Sequence, residues 1–269
     1  GEWAFKGCTS LKSITIPASV TKIRWTYDPC ASWVFLGCTS FRDCTSLESI
    51  VVAEGNPVYD SREGSNAIIE KETNALIAGC KTTVIPKSVT KIIACAFSDC
   101  TMLESITIPE SVTEIGEKAF LGCTSLRSIA IPESVTKIGE KTFSGCRSLK
   151  SITIPKSVTE IGYQAFRNCS SLESVVLSEE TTTIGKEAFY LCTSLKNITI
   201  PKSVTKILNH VFGSCCSLES IVIPKGVTHI NEHAFTGCVS LKNVIIPEGG
   251  FNSVAVSMLI QNIRSIVEK

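Results

Sequence analysis

Phe97, Phe120, Phe143, Phe166, Phe189, Phe212 and Phe235 recur at one constant step, each number twenty-three above the last. Cys100, Cys123, Cys146, Cys169, Cys192, Cys215 and Cys238 keep the same step, each three places after a Phe. Self-similarity at a period between about 20 and 50 residues marks a solenoid, propeller or array. A unit this short cannot enclose a core of its own, so neighbouring units must share one by stacking. The period therefore overrides the expectation of one large domain or two ordinary ones that 269 residues would raise.

One unit reads Ala119-Phe120-Leu-Gly122-Cys123-Thr-Ser-Leu126-Arg-Ser-Ile129-Ala-Ile131-Pro132-Glu-Ser-Val135-Thr-Lys-Ile138-Gly139. Leu126, Ile129 and Ile131 end on the period of two that marks a short strand, with Ser128 and Ala130 turned outward. Pro132 ends the strand by removing a backbone donor. Eight of the ten prolines hold this place. Val135 and Ile138 form a second inward pair. Gly116, Gly139, Gly162 and Gly185 are expected to close a turn at positive φ. Asn231 suits that conformation, whereas Ile93 and Leu208 in the same column do not. The following Ala-Phe pair is expected to form a short helical or 3-10 turn that places the ring in the core. Strands headed by Leu11, Leu47, Leu103, Leu126, Leu149, Leu172, Leu195, Leu218 and Leu241 define nine clear coils, with a degenerate tenth at Val84-Ile85.

The solenoid is expected to span residues 1–248, with regular coils over 96–248 and irregular ones, including a long insert, within 24–95. Seven extra residues fall in the stretch from Arg24 to Trp33. Cys38-Thr-Ser-Phe41 is repeated six places on as Cys44-Thr-Ser-Leu47, which leaves the register there open. The interval from Val52 to Ile85 is ten places longer than the repeat. The enlarged stretch, 53–82, carries Ala67-Ile68-Ile69 and Ala75-Leu76-Ile77 around a polar turn, which reads as a β-hairpin. It is either a variant coil or a dedicated binding projection. Beyond Pro247, Val256, Leu259, Ile260, Ile263 and Val267 recur at helical spacing, so 249–269 is expected to be an amphipathic helix with Asn252 or Ser253 as its N-cap. Such a helix would cap the open end of the solenoid or bind a partner.

Twenty-six Lys and Arg stand against 25 Asp and Glu, a net charge of +1, which argues against nucleic acid or an anionic membrane as main partner. No apolar run approaches the roughly 18 residues of a membrane span. The opening Gly1-Glu2-Trp3-Ala4-Phe5 has neither Met nor signal peptide, as expected of a processed or excised chain. The Cys column, beside inward Phe and Leu, reads as buried free thiols acting as small hydrophobes. Adjacent members at about 4.8 Å along the sheet leave a disulfide or metal reading open. The off-column Cys30, Cys80, Cys95 and Cys216 are the better candidates for exposed thiols. His210 and His233 should stack in neighbouring coils, with His229 and Glu232 near, as a two-imidazole metal site or as plain polar turns. Glu104, Arg127, Lys150, Glu173, Lys196, Glu219 and Lys242 alternate in sign at five of six steps, a ladder of cross-strand pairs. Phosphate-cradling Gly loops, HExxH and GxSxG are all missing, so no catalytic residue, cofactor or metal ligand is assigned.

The fuller pattern, Ile-Pro-x-Ser-Val-Thr-x-Ile-Gly-x-x-Ala-Phe-x-Gly-Cys-x-Ser-Leu, resembles the BspA-like subfamily of leucine-rich repeats over about residues 3 to 248. The resemblance implies an α/β solenoid, a right-handed leucine-rich-repeat superhelix that is strand-rich with short helical turns. It also implies a non-enzymatic protein, extracellular or on the cell surface, that mediates protein–protein interaction or adhesion to host extracellular matrix or to other surface proteins. A carbohydrate-binding module and a structural spacer within a longer surface protein are the alternatives. No functional residue carries over from the family. The candidate ligand surface is therefore read from the coil itself. Thr107, Ala130, Thr153, Val176, Thr199 and Val222 point outward from successive strands, on the side expected to be concave. Trp25, Tyr27, Trp33 and Tyr59 in the irregular segment offer aromatic anchors of the kind that dominate interfaces.

Overall fold

A computed structural model describes residues 4–23 and 41–245. The helix expected over 249–269, and Trp25, Tyr27, Trp33, Cys30 and Cys38, lie outside the described residues. Each regular coil contributes a three-residue strand and a two-residue strand, and both stack in parallel with their counterparts one repeat away. The longer series includes Ser105–Thr107, Ser128–Ala130, Ser151–Thr153, Ser174–Val176, Asn197–Thr199, Ser220–Val222 and Asn243–Ile245, the last five hydrogen-bonded as one sheet. Ser13–Ile16 and Ser49–Val52 pair in the same manner nearer the N-terminus. The shorter series runs from Lys91–Ile92 through Glu114–Ile115 to His229–Ile230.

Between the two series lies the core. Leu126, Val135 and Ile138 are buried, as are Ile129 and Ile131, while Ser128 and Ala130 are exposed, so the strand facing follows the period of two. Seven Phe rings form a continuous column, with neighbouring centroids 5.1 to 5.8 Å apart and planes within 10° of parallel. Each ring is fully buried, which contributes on the order of 1.5–3 kcal/mol. Offset stacking of this kind adds to that burial. Pro132 accepts a hydrogen bond from the Val135 amide at 3.1 Å, and the same tight turn recurs at Pro109, Pro155, Pro201 and Pro224. Ser178 takes the place of Pro in one coil, accepting from Thr181 at 3.0 Å.

The α/β assignment and the helical Ala-Phe turns need correction. Among the described residues almost everything is strand or turn; a 3-10 helix, Arg62–Gly64, lies in the insert. Two residues on either side of Phe120 explain why no helix forms. Lys118 at φ +57° and Gly122 at φ +71° are left-handed, which interrupts a right-handed helix. The amides then alternate. Ala119, Leu121 and Cys123 donate within the turn, while Lys118, Phe120 and Gly122 donate to Glu140, Thr142 and Ser144 of the next coil. Inside a helix such amides bond four residues back along the same chain; the solenoid commits every second one to stacking.

The column of Gly116, Gly139, Gly162 and Gly185 also differs from expectation, for none has positive φ. Glycine is present there because the coils touch. A Cβ on Gly162 would lie 2.7 Å from the carbonyl carbon of Gly139, and one on Gly185 would lie 2.6 Å from that of Gly162.

The 53–82 insert does contain the expected hairpin. Ala67–Glu70 pairs antiparallel with Ala75–Gly79, and the latter pairs in parallel with Lys91–Ile92, so the insert joins the short-strand sheet as a variant coil. Gly79 lies beneath Phe97, where a side chain would collide with the ring at 2.1 Å.

Candidate functional site

The longer strands present one face to solvent. Thr107, Ala130, Thr153, Val176, Thr199 and Val222 all lie on it, exposed, in a single column. Beside them runs a column of Ser105, Ser128, Ser151, Ser174, Asn197, Ser220 and Asn243. The two columns share a face because the strands turn their middle residues inward, with Ile106, Ile129, Ile152, Val175, Ile198 and Ile221 buried and Val244 half-buried. Toward the C-terminal end the face becomes apolar, with Val176 58% exposed and Ile245 54% exposed. Beyond the Ser column, Arg127 meets Glu104 at 3.8 Å. Lys81 extends the charged column upstream and pairs with Glu48 at 2.8 Å, which holds the Glu48 carboxyl below its usual range. Closer cross-coil pairs lie on the short strands, Lys91–Glu114 at 3.1 Å and Lys137–Glu160 at 3.0 Å. Exposed pairs of this sort contribute about 0–1 kcal/mol.

Groups with reactive chemistry are directed inward. Cys146 donates its thiol to the Phe120 carbonyl of the preceding coil at 3.3 Å, and Cys123, Cys169, Cys192, Cys215 and Cys238 repeat the contact at 3.0 to 3.2 Å. All twelve described cysteines are free thiols. Burial pushes Cys169 and Cys238 up to about 12 and raises Cys123, Cys146, Cys192 and Cys215 well above the usual thiol value. Thiols held protonated are poor nucleophiles and poor metal ligands. Two of the cysteines read as exposed are not: Cys80 and Cys95 are buried, because the insert and the first regular turn close over them. Cys216 is half-buried.

Tyr59 must be withdrawn as an anchor. It is 3% exposed, and its hydroxyl accepts a hydrogen bond from the Ile23 amide at 3.1 Å. Asn56 binds alongside, its side-chain amide donating to the carbonyls of Pro17 and Val20 at 3.0 and 2.9 Å. Asn56 and Tyr59 thus fasten the insert to the first coil.

A second surface was not legible as a unit. On the turns, the Lys141 ammonium lies 5.2 Å from the centre of the Tyr163 ring and Arg167 lies 4.7 Å from that of Tyr190, distances suited to cation–π attraction. Arg167 and Gln164 both bind Glu187. His210 and His233 do stack, 5.3 Å apart, and Tyr190 meets His210 edge-on. His233 has Glu232 at 3.6 Å. No three His, Cys, Asp or Glu side chains gather to hold a metal among the described residues. Tyr163, Arg167 and Tyr190 occupy positions that other coils fill with different residues, so a comparison of columns would have marked them. The serines of the Pro turns also link the coils. Ser111, Ser134, Ser157 and Ser203 each donate a hydroxyl to a carbonyl of the preceding coil at 2.5 to 2.7 Å.

A family model described as the BspA type leucine rich repeat region matches six copies, over residues 1–28, 67–182 and 159–266. Among solved structures, the chain is similar to a leucine-rich repeat protein from Eubacterium ventriosum, with 30% identity and a TM-score of 0.72, covering 85% of this chain and 59% of that one. It therefore spans less than two thirds of that protein's length. It is also similar to a leucine rich repeat protein of T. pallidum, with 27% identity and a TM-score of 0.60 over 72% of this chain and 91% of that one. The pneumococcal vaccine antigen PcpA shares the fold at 21% identity, with a TM-score of 0.59 over 96% of this chain and 53% of that one. No curated protein matches the sequence.

Proposed function

This chain belongs to the BspA type leucine rich repeat family, and from that premise we propose that it is a non-enzymatic binding array, displayed at a cell surface, that adheres to other proteins through its strand face. One observation carries the reading. The outward side chains of the longer strands are small, in register and accessible, while the thiols and aromatic rings that could do chemistry are locked into inter-coil ladders. Repeat proteins of this kind bind extended partners along such faces. A surface setting and partners such as host matrix proteins follow from the family resemblance. Among the described residues, no helix is long and apolar enough to cross a membrane.

Small hydroxyl and aliphatic groups permit close approach but supply few of the aromatic and Arg anchors that dominate affinity. Binding through this face is expected to be modest, on the order of micromolar. The test is a pull-down against extracellular matrix proteins alongside a glycan array, followed by the Thr153→Arg/Thr199→Arg double variant against whichever ligand is captured. Two long charged side chains on the face should weaken capture by about tenfold or more, equivalent to about 1.4 kcal/mol. Undiminished capture would remove the strand face as the site.

A further inference from the structure

Among the described residues the long-strand ladder is interrupted between Ser128–Ala130 and Ser151–Thr153, over a cleft of ≈ 240 Å³, and more widely, as an open seam, before Ser105–Thr107. Residues 83–85 stand one full repeat before Ile106-Thr107-Ile108, in register for another strand, yet they do not join the sheet. The Val84 amide donates to Ser65 at 3.0 Å, and the Thr83 hydroxyl donates to Asn66 at 2.8 Å, so the insert draws this segment away. On the short-strand side the same two coils are joined normally. Lys91–Ile92 pairs with Glu114–Ile115, the Thr113 amide donates to Thr90, and Ser111 reaches the Val89 carbonyl at 2.7 Å. The coils are thus fastened at one edge and parted at the other.

The parted edge is the side of Ser105–Thr107 that faces away from Ser128–Ala130. In the closed steps of the ladder, the Ser174 amide donates back to Lys150, and the Ile154 amide donates forward to Val176. By the same alternation, the N–H and C=O groups of Ser105 and Thr107 point into the seam. Among the described residues, no hydrogen bond reaches those four groups from the preceding coil. The seam opens into a cleft of ≈ 760 Å³ lined by Val84, Ile85, Ser105, Ile106, Thr107 and Pro109. That volume lies within the roughly 300–1,000 Å³ typical of clefts that enclose a ligand. Val84 stands at the rim, 67% exposed.

We propose that this seam is a docking slot for an extended, uncharged peptide segment of another protein, which adds a strand to the free edge of Ser105–Thr107. The proposal rests on the reading of the chain as a protein-binding array and names the kind of partner and the place. An edge of alternating donors and acceptors is matched by another peptide backbone, the basis of strand addition in peptide recognition. A small molecule does not repeat donors and acceptors at that spacing. The apolar lining favours a segment carrying an aliphatic side chain. Lys87 and Glu110, both in the wall, have opposite signs and select for neither charge.

The first measurement uses the free protein and needs no ligand. Amide hydrogen exchange should be fast at Ser105 and Thr107 and slow at Ser174 and Val176, their equivalents in the closed sheet. Equal protection at all four would mean that the seam is shut, and the proposal fails. The second uses a synthetic end-capped peptide with the repeat's own strand sequence, Ser-Ile-Thr-Ile, as in residues 151–154, and a control peptide with Pro in place of Thr. The first peptide should slow exchange at Ser105 and Thr107 and the control should not. The exposed substitution Val84→Arg should weaken binding by about tenfold. No binding, binding without protection at the seam, or indifference to Val84→Arg each overturns the slot. The Thr153→Arg/Thr199→Arg variant should bind this peptide normally, so failure of the strand-face reading and failure of the slot are read separately.

Discussion

At the scale of single residues, the ladders are what identical neighbours impose. A Phe with another Phe one repeat before it and one after finds parallel rings above and below, and a Cys in the same position finds a Phe carbonyl. These roles were legible because each position is repeated and the copies share one solution. Tyr59 and Cys80 have no copies, so nothing periodic reports their surroundings, and the insert alone determines that both are buried. The thiol ladder has a consequence for pH. An unfolded thiol ionises near about 8.5. In the fold, burial raises Cys169 to about 12 and Cys146 and Cys192 well above their ordinary value. The neutral thiol is the form that favours the fold, so this contribution is complete below the unfolded value and is lost as pH climbs toward the folded one. Each pH unit in that window should cost up to about 1.4 kcal/mol per thiol. Urea midpoints measured between pH 8 and 11 should fall steadily. In a Cys169→Ala/Cys192→Ala variant the fall should be shallower, and an unchanged slope would exclude these thiols as its source.

At the scale of the coil, strands and Pro turns follow directly from residue pattern, whereas the geometry between coils does not. The glycines show the difference. Their necessity is visible in the repeat, but positive φ belongs instead to positions such as Lys141, Gln164 and Gly145, and the recurrent Gly column exists for contact between backbones. That contact is uneven along the column. A Cβ at Gly162 would strike the backbone of Gly139 at 2.7 Å, while one at Gly139 would meet the Glu117 side chain at 3.3 Å. Gly162→Ala should therefore cost about 1–3 kcal/mol, the range for forcing extra atoms into a packed site. Gly139→Ala should cost less than about 1 kcal/mol, because a flexible side chain can give way. Chemical denaturation of the two variants compares one substitution at one repeat position, and equal losses would refute the contact explanation.

For the molecule as a whole, the period made the solenoid legible, while the helical content was overestimated because left-handed residues such as Lys118 and Gln164 carry no compositional mark. The open seam was equally hidden. Val84-Ile85 read as a weak strand, and only the pull of Ser65 and Asn66 reveals that it pairs elsewhere. An array in which each coil touches chiefly its neighbours should tolerate the loss of one unit in register. Deletion of residues 128–150 joins Arg127 to Ser151 and restores every column. The shortened protein should retain its circular dichroism and melt at a somewhat lower temperature. Deletion of 128–139, which breaks the register, should abolish the cooperative transition. Loss of folding in both would mean that the coils are not interchangeable units.

The seam also sets how the protein should answer force. Coils stacked along an axis behave as springs in series, and a series of springs stretches first at its softest member. Between residues 83–85 and Ser105–Thr107 the two coils are fastened on one side only. Tension along the stack should therefore be taken up as rotation about the Lys91–Glu114 side, widening the slot before any closed rung gives way. The slot would then be widest under load, with the free N–H and C=O groups of Ser105 and Thr107 most fully presented.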